Sequence, residues 1–206
     1  MPRAPSTRIT AKPLVEELAR RKLSKAISDE YLEQHTTAKG NKVLAFKNDL
    51  GGFTWYLPAR NGQPEQWAKK GQPAPRTLRA SPKAEGIRVK VFSQFFDMLT
   101  YVQVMGKADD ETLIVEPDLA YIESLKWRWP KSITYYANGQ YDEQAFILPA
   151  EEFGLMVGVS PIESLSEAYM DNPHRVSHAM QPQGIRHDLK QAQSQLLIAA
   201  RLRPGA

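Results

Sequence analysis

The sequence contains no cysteine, which excludes a disulfide framework, a thiolate zinc site and a cysteine nucleophile. It has no apolar run near the roughly 18 to 20 residues that a bilayer span requires. Met1 to Thr10 has no apolar segment of the signal-peptide kind, so no membrane contact is expected and the cytoplasm is the expected setting. GxGxxG, GxxxxGK[ST] and HExxH are all missing, and with them any sign of a dinucleotide fingerprint, a Walker loop or a zincin helix. Ser93 stands between Val91 and Phe95 rather than in GxSxG, so it is no nucleophile elbow. His174 and His178 have i, i+4 spacing, but Asn172-Pro173 precedes them and no acidic third ligand lies nearby. They are read as surface histidines, and no metal site is expected there.

What remains is a chain of 206 residues, 42% hydrophobic and 24% charged, with a net charge of +4. That is enough to bury one core, with appendages. The charge is unevenly spread. Residues 1–25 carry seven Lys/Arg against Glu16 and Glu17, and residues 174–206 carry five against Asp188. Two basic ends therefore flank a mildly acidic body, and such ends suit phosphate backbones or an acidic protein face.

Residues 1–9 mix Pro, Ser and Arg and are read as a mobile basic arm. Residues 10–57 are read as a helical hairpin plus a β-hairpin. Pro13 suits a first helical turn, and Arg20, Arg21 and Lys22 close that helix at its negative end. Ser24 caps a second helix that ends at Thr36 to Gly40. Val43 to Phe46 and Phe53 to Leu57 form the hairpin, with Phe53, Trp55 and Leu57 on the buried face. Residues 58–86 hold five prolines and are read as a long basic loop without continuous elements. In residues 87–150 strands at 87–92, 112–115 and 131–136 alternate with helices, which predicts an α/β core with a parallel sheet flanked by helices. Residues 151–206 are read as C-terminal helices. One starts at the potential capping box of Ser160-Pro161-Ile162-Glu163. Another carries Ile185, Leu189, Ala192, Leu196 and Ala199 at helical spacing.

Val89-Lys90-Val91-Phe92-Ser93-Gln94-Phe95-Phe96-Asp97 resembles the first motif of the Toprim fold, the catalytic domain shared by bacterial primases, type IA and type II topoisomerases and some nucleases. Tyr135-Tyr136-Ala137-Asn138-Gly139-Gln140 to Ala145 stands where the second motif belongs. Phe46 to Phe53 and Ser81-Pro82-Lys83 are similar to segments that precede these motifs in primase-like proteins of plasmids and mobile elements. Those relatives commonly carry an N-terminal zinc finger, and this chain has none. The resemblance covers roughly residues 23–148 and implies a Toprim-like sheet.

It also implies a site at which one glutamate and two aspartates hold Mg²⁺ at the carboxyl ends of neighbouring strands. Transferred residue by residue, the glutamate position is Ser93, its glycine is Gln94, and the aspartates are Ala137 and Gly139; only Asp97 matches. The expected protein is a catalytically degenerate nucleic-acid-binding or accessory protein with no metal and no cofactor. DNA rather than RNA, or a nucleic-acid-processing protein, is the expected partner. Phosphate contacts are expected from Arg20, Arg21, Lys22, Lys47, Lys69, Lys70, Arg76, Arg79 and Lys83, with Trp67 as a stacking side chain or a loop anchor. An alternative is an active Mg²⁺-dependent enzyme in which Asp97, Glu116, Asp118 and Asp142 replace the lost ligands. A further alternative is a protein-interaction module, whose C-terminal helix would dock on a partner or a second copy.

Overall fold

Pro13 starts helix α1 (Lys12–Arg20), and the Ser24 hydroxyl starts α2 (Lys25–Tyr31) by accepting the Ile27 backbone N–H at 3.3 Å. The computed structural model describes residues 8–180 except 61, 85, 129, 138–139, 161, 163, 175 and 177–179, and describes only the backbone of 140–145. Strand β1 (Leu32–Thr36) follows α2 directly. With β2 (Lys42–Lys47), β3 (Phe53–Leu57) and β4 (Gln66–Lys70) it makes an antiparallel sheet in that order.

The second sheet contains β5 (Arg76–Leu78), β6 (Arg88–Phe92), β7 (Glu111–Val115), β8 (Ser132–Tyr136) and β9 (Val157–Val159), ordered β5-β7-β6-β8-β9. β5 runs antiparallel to β7, and the other pairings are parallel. The crossovers carry α3 (Phe95–Met105), α4 (Leu119–Leu125) and α5 (Gln140–Glu152), and α6 (Leu165–Asp171) follows β9. The chain is thus α/β, as its alternating pattern predicts. Strand β6 lies in the middle with residues buried on both faces, Val89 and Val91 on one and Lys90 and Phe92 on the other. Val89 and Val91 pack with Ile122, Leu125 and Phe146, while Phe92 packs with Phe95, Leu99 and the antiparallel sheet.

Several expectations are corrected. Residues 32–36 are a strand rather than a helical tail, because Leu32 to Thr36 find backbone partners in Phe46 to Lys42. Residues 58–86 are not structureless, since β4 and β5 lie within them. On β3 the fully buried side chain is Tyr56, while Phe53, Trp55 and Leu57 are half-buried on the opposite face. Ile9, assigned to the arm, is 7% exposed and belongs to the core. The helix expected from Pro161 begins at Leu165, after Ser164 turns the chain at φ 46°. The helix expected over Ile185–Ala199 lies outside the described residues.

Tyr56 faces inward because its hydroxyl has partners there. It lies 2.7 Å from Glu17 Oε1 and 2.9 Å from Glu65 Oε2, and it accepts Arg21 Nη2 at 3.1 Å. Its single proton serves one carboxylate at a time. Arg21 is 5% exposed and donates Nε to Glu17 at 2.7 Å, and its guanidinium lies 3.8 Å from the Phe96 ring centre. Arg20 makes two more bonds to the same carboxylate. Burial pushes the Glu17 carboxyl up, but hydrogen bonds from Arg20 and Tyr56 and the Arg21 charge outweigh it and hold the group below its ordinary value. Arg21 is therefore a tie between α1, the antiparallel sheet and α3, and it is withdrawn from any phosphate.

Removing one partner from a buried pair leaves the other charge uncompensated. Arg21→Ala is expected to cost about 3 kcal/mol or more, and the exposed Arg20→Ala about 1 kcal/mol or less. Urea unfolding midpoints of the two variants measure this, and equal losses would show that the network is no tie.

Candidate functional site

Parallel pairing places Phe92 level with Val115 and with Tyr136. The residues that follow these three strands therefore leave the sheet at one edge: Ser93 and Gln94, Glu116 and Pro117, and Ala137. This is the carboxyl edge, where open α/β sheets present their ligand sites. The antiparallel sheet covers it with Thr54 on β3 and Trp67, Ala68 and Lys69 on β4. Together with Tyr135 and Phe146, these side chains enclose a cavity of about 520 Å³, within the range of small-ligand sites. A second cavity of about 210 Å³ shares Thr54, Lys69, Glu116 and Pro117 and continues past Lys70 to Ala74 and Asp118. The two form one groove.

Its strongest internal contact is the ion pair between Lys69 Nζ and Glu116 at 2.6 Å. Thr54 Oγ1 lies 3.4 Å from the same carboxylate oxygen. Glu116 donates its backbone N–H to the Phe92 carbonyl at 3.0 Å and has φ 52°, a left-handed conformation that a side-chain-bearing residue adopts at a cost. Ser93 Oγ, which follows the neighbouring strand β6 at the same edge, is shielded from solvent and has no hydrogen-bond partner. Trp67 serves as an anchor: its ring packs against Tyr56, Phe95 and Phe96, with centres 4.7, 5.3 and 5.7 Å away.

A divalent cation of the Mg²⁺ kind requires several hard, anionic oxygens. The transferred positions offer a hydroxyl at Ser93, an amide at Gln94 and a methyl at Ala137, and Gly139 lies outside the described residues. Among the described residues no three His, Asp or Glu side chains gather as a metal cluster would require. The carboxylate that borders the cavity, Glu116, already holds an ammonium. These residues do not fit the ion that a Toprim-type site would hold.

Of the alternative ligands, Glu116 and Asp118 border the groove and Asp97 does not. Asp97 is fully buried and accepts the Ser166 N–H at 2.7 Å, so it ties the first turn of α6 to α3. Burial pushes its carboxyl up to about 6 against the opposing hydrogen bonds from Ser166. Asp118 caps α4 by accepting the Tyr121 N–H at 2.7 Å. Asp142 lies on α5, and its side chain is not described.

The expected phosphate contacts separate similarly. Lys69 and Lys70 border the groove, and Lys70 also covers the Trp55 ring at 5.0 Å. Lys47 is exposed and shares a cross-strand row with Phe53 and Lys70. Arg79 and Lys83 are exposed beyond β5, while Arg76 is half-buried 3.6 Å from Asp49. Lys22 is exposed and donates to the Met170 carbonyl, far along the chain from the groove residues, and Arg20 is bound to Glu17. The sequence singles out Lys69 as a base and Glu116 as an acid, but does not pair them. Thr54 and Tyr135 gain a place at the site only from the packing of the two sheets.

In overall fold the chain is similar to the crystal structure of the primase fragment of the bacteriophage T7 primase–helicase protein. The TM-score is 0.55 at 12% identity, over 84% of this chain and 72% of that one. A structure of the bacteriophage T7 lagging-strand DNA polymerase, interacting with primase domains bound to an RNA/DNA hybrid and dTTP, aligns at TM-score 0.49 and 13% identity, over 77% of this chain and 86% of that one. No family model and no curated protein matches the sequence. The first likeness establishes a primase-like α/β fold.

The buried Asp97 has a measurable consequence. Its pKa of about 6 exceeds its ordinary 3.8, so between those values the folded chain binds more protons than the unfolded one, and stability falls as pH rises. Asp97→Asn keeps an acceptor for Ser166 and removes the titration. Between pH 4 and 6.5 the wild type is expected to lose on the order of 2 kcal/mol relative to the variant, read from urea midpoints at each pH. A difference that does not change with pH would contradict this placement of the charge.

Proposed function

We propose that this protein binds nucleic acid, on a primase-like scaffold, without a divalent ion at the sheet's carboxyl edge, and that it serves as a binding or accessory component in a nucleic-acid-processing system. The observation that carries this reading is the Lys69–Glu116 pair at 2.6 Å inside the cavity. A fixed ammonium stands there, beside the neutral Ser93 and Gln94, where phosphoryl-transfer chemistry would need clustered carboxylates. The polynucleotide is the chemically matching ligand, because Lys69 stands at the groove and Lys70 and the exposed Lys47, on the other face of the same sheet, add cations at its border. These contacts are to phosphates and carry little sequence information. Asp97 has a structural role here, and single-stranded DNA is the preferred ligand over RNA.

Binding of labelled single-stranded DNA and RNA, titrated with salt in Mg²⁺ and in EDTA, tests the reading. Affinity is expected to fall steeply with salt and not to require Mg²⁺. Lys70→Ala and Lys47→Ala are each expected to reduce the log–log salt slope by about 1. No binding at low salt would reject the nucleic-acid reading, and binding or strand cleavage that requires Mg²⁺ would reject the metal-free one.

A further inference from the structure

The described charges of the groove cancel. Lys69 and Lys70 line it together with Glu116 and Asp118, two bases with two acids, so its lining carries no net charge. The two acids differ in how they are held. Asp118 is committed to the α4 N-terminus, where its removal would expose backbone N–H groups. Glu116 caps no helix. Its carboxylate is held by Lys69, with Thr54 at the longer 3.4 Å, and its backbone is strained at φ 52°.

The pair also bridges the two sheets across the mouth of the cavity. Lys69 is 63% exposed and comes from the edge strand β4, whereas Glu116 is 20% exposed and follows the buried strand β7. Ser93, which lines the same cavity, has its Oγ buried with no partner, an expensive state for a hydroxyl unless a ligand completes it.

The geometry points to a phosphate site formed by Lys69, Ser93 and Gln94, in which the Glu116 carboxylate is the resident anion that a phosphodiester of the bound nucleic acid must displace. This deepens the reading above and rests on it. The exchange is one anion for another on the same ammonium. The phosphate oxygens replace the carboxylate at Lys69 Nζ and give Ser93 Oγ an acceptor, while the released carboxylate turns to solvent at the open mouth. No covalent bond changes. Glu116 thereby sets a threshold, since weak or single anions do not repay the loss of the pair, whereas a polynucleotide anchored along Lys70 does so by supplying a high local phosphate concentration.

Labelled oligothymidylate binding by the full chain tests this with Glu116→Gln, Glu116→Gly, Lys69→Ala and the Lys69→Ala/Glu116→Gln double variant. Glu123→Gln is the control, because it makes the same charge change on α4 beside Lys126, outside the groove lining. Glu116→Gln is expected to tighten binding roughly fivefold or more and to steepen the salt slope by about 1, against less than about twofold for the control. Glu116→Gly, which removes the carboxylate and also suits a positive φ, is expected to tighten binding similarly while raising the unfolding midpoint. The double variant is expected to lose the gain. Wild-type binding with no gain in either Glu116 variant beyond the control would overturn the resident-anion site and leave the nucleic-acid reading standing. A gain that survives Lys69→Ala would also overturn the site. No binding by wild type or any Glu116 variant at low salt would overturn both.

Discussion

Parallel pairing of β7, β6 and β8 brings three strand ends to one edge of the sheet, and everything proposed for this molecule depends on that register. Once Phe92 is level with Val115 and Tyr136, the identities of the next residues decide the chemistry available there. They are Ser93, Gln94, Glu116, Pro117 and Ala137. One of these bears a charge, and that charge is answered across the cavity by Lys69 at 2.6 Å. The edge is therefore a short list of neutral donors around an ammonium and its carboxylate partner, a composition suited to receiving an anion rather than holding a hard cation.

The cavity exists because two sheets are fixed relative to each other. Glu17, Arg21 and Tyr56 join α1 and β3 under the antiparallel sheet, and the Arg21 guanidinium against the Phe96 ring carries the tie into α3. Trp67 adds an aromatic contact from β4 to Phe95 and Phe96 at the start of the same helix. Asp97, one residue further on, secures α6 from the other side. The first turn of α3 is thus an anchorage. This explains how an acidic residue at that position can be fully buried without any role in the cavity.

The alternating body was legible because each element has its own strong pattern. Ile87 to Phe92 is an apolar run, interrupted by Arg88 and Lys90, that is too short for a helix, and Leu119, Ile122 and Leu125 recur at helical spacing. The missed strands have no such pattern. β1 (LEQHT) and β4 (QWAKK) are edge strands whose exposed residues are polar, and β5 and β9 are three residues long. Pairing defines them, and pairing is non-local. The face of β3 was misread for a related reason: Phe53, Trp55 and Leu57 outweigh Thr54 and Tyr56 in hydrophobicity, but the Tyr56 hydroxyl has buried charged partners contributed by α1. An i, i+4 Glu17–Arg21 spacing was available as a signal of that network, although most such pairs lie on the surface. The site's key contact joins residues 47 positions apart on different sheets, a distance at which sequence spacing offers no guide.

The central claim is that the sheet edge presents an ammonium, its carboxylate partner and neutral donors in place of the clustered carboxylates that a divalent cation requires. Paramagnetic broadening of backbone amide signals by Mn²⁺, recorded on the full chain, examines that edge directly. The account predicts that the amides of Ser93, Gln94 and Glu116 broaden no more than those of ordinary surface residues. Selective broadening of these three at low Mn²⁺, reversed by excess Mg²⁺, would contradict it.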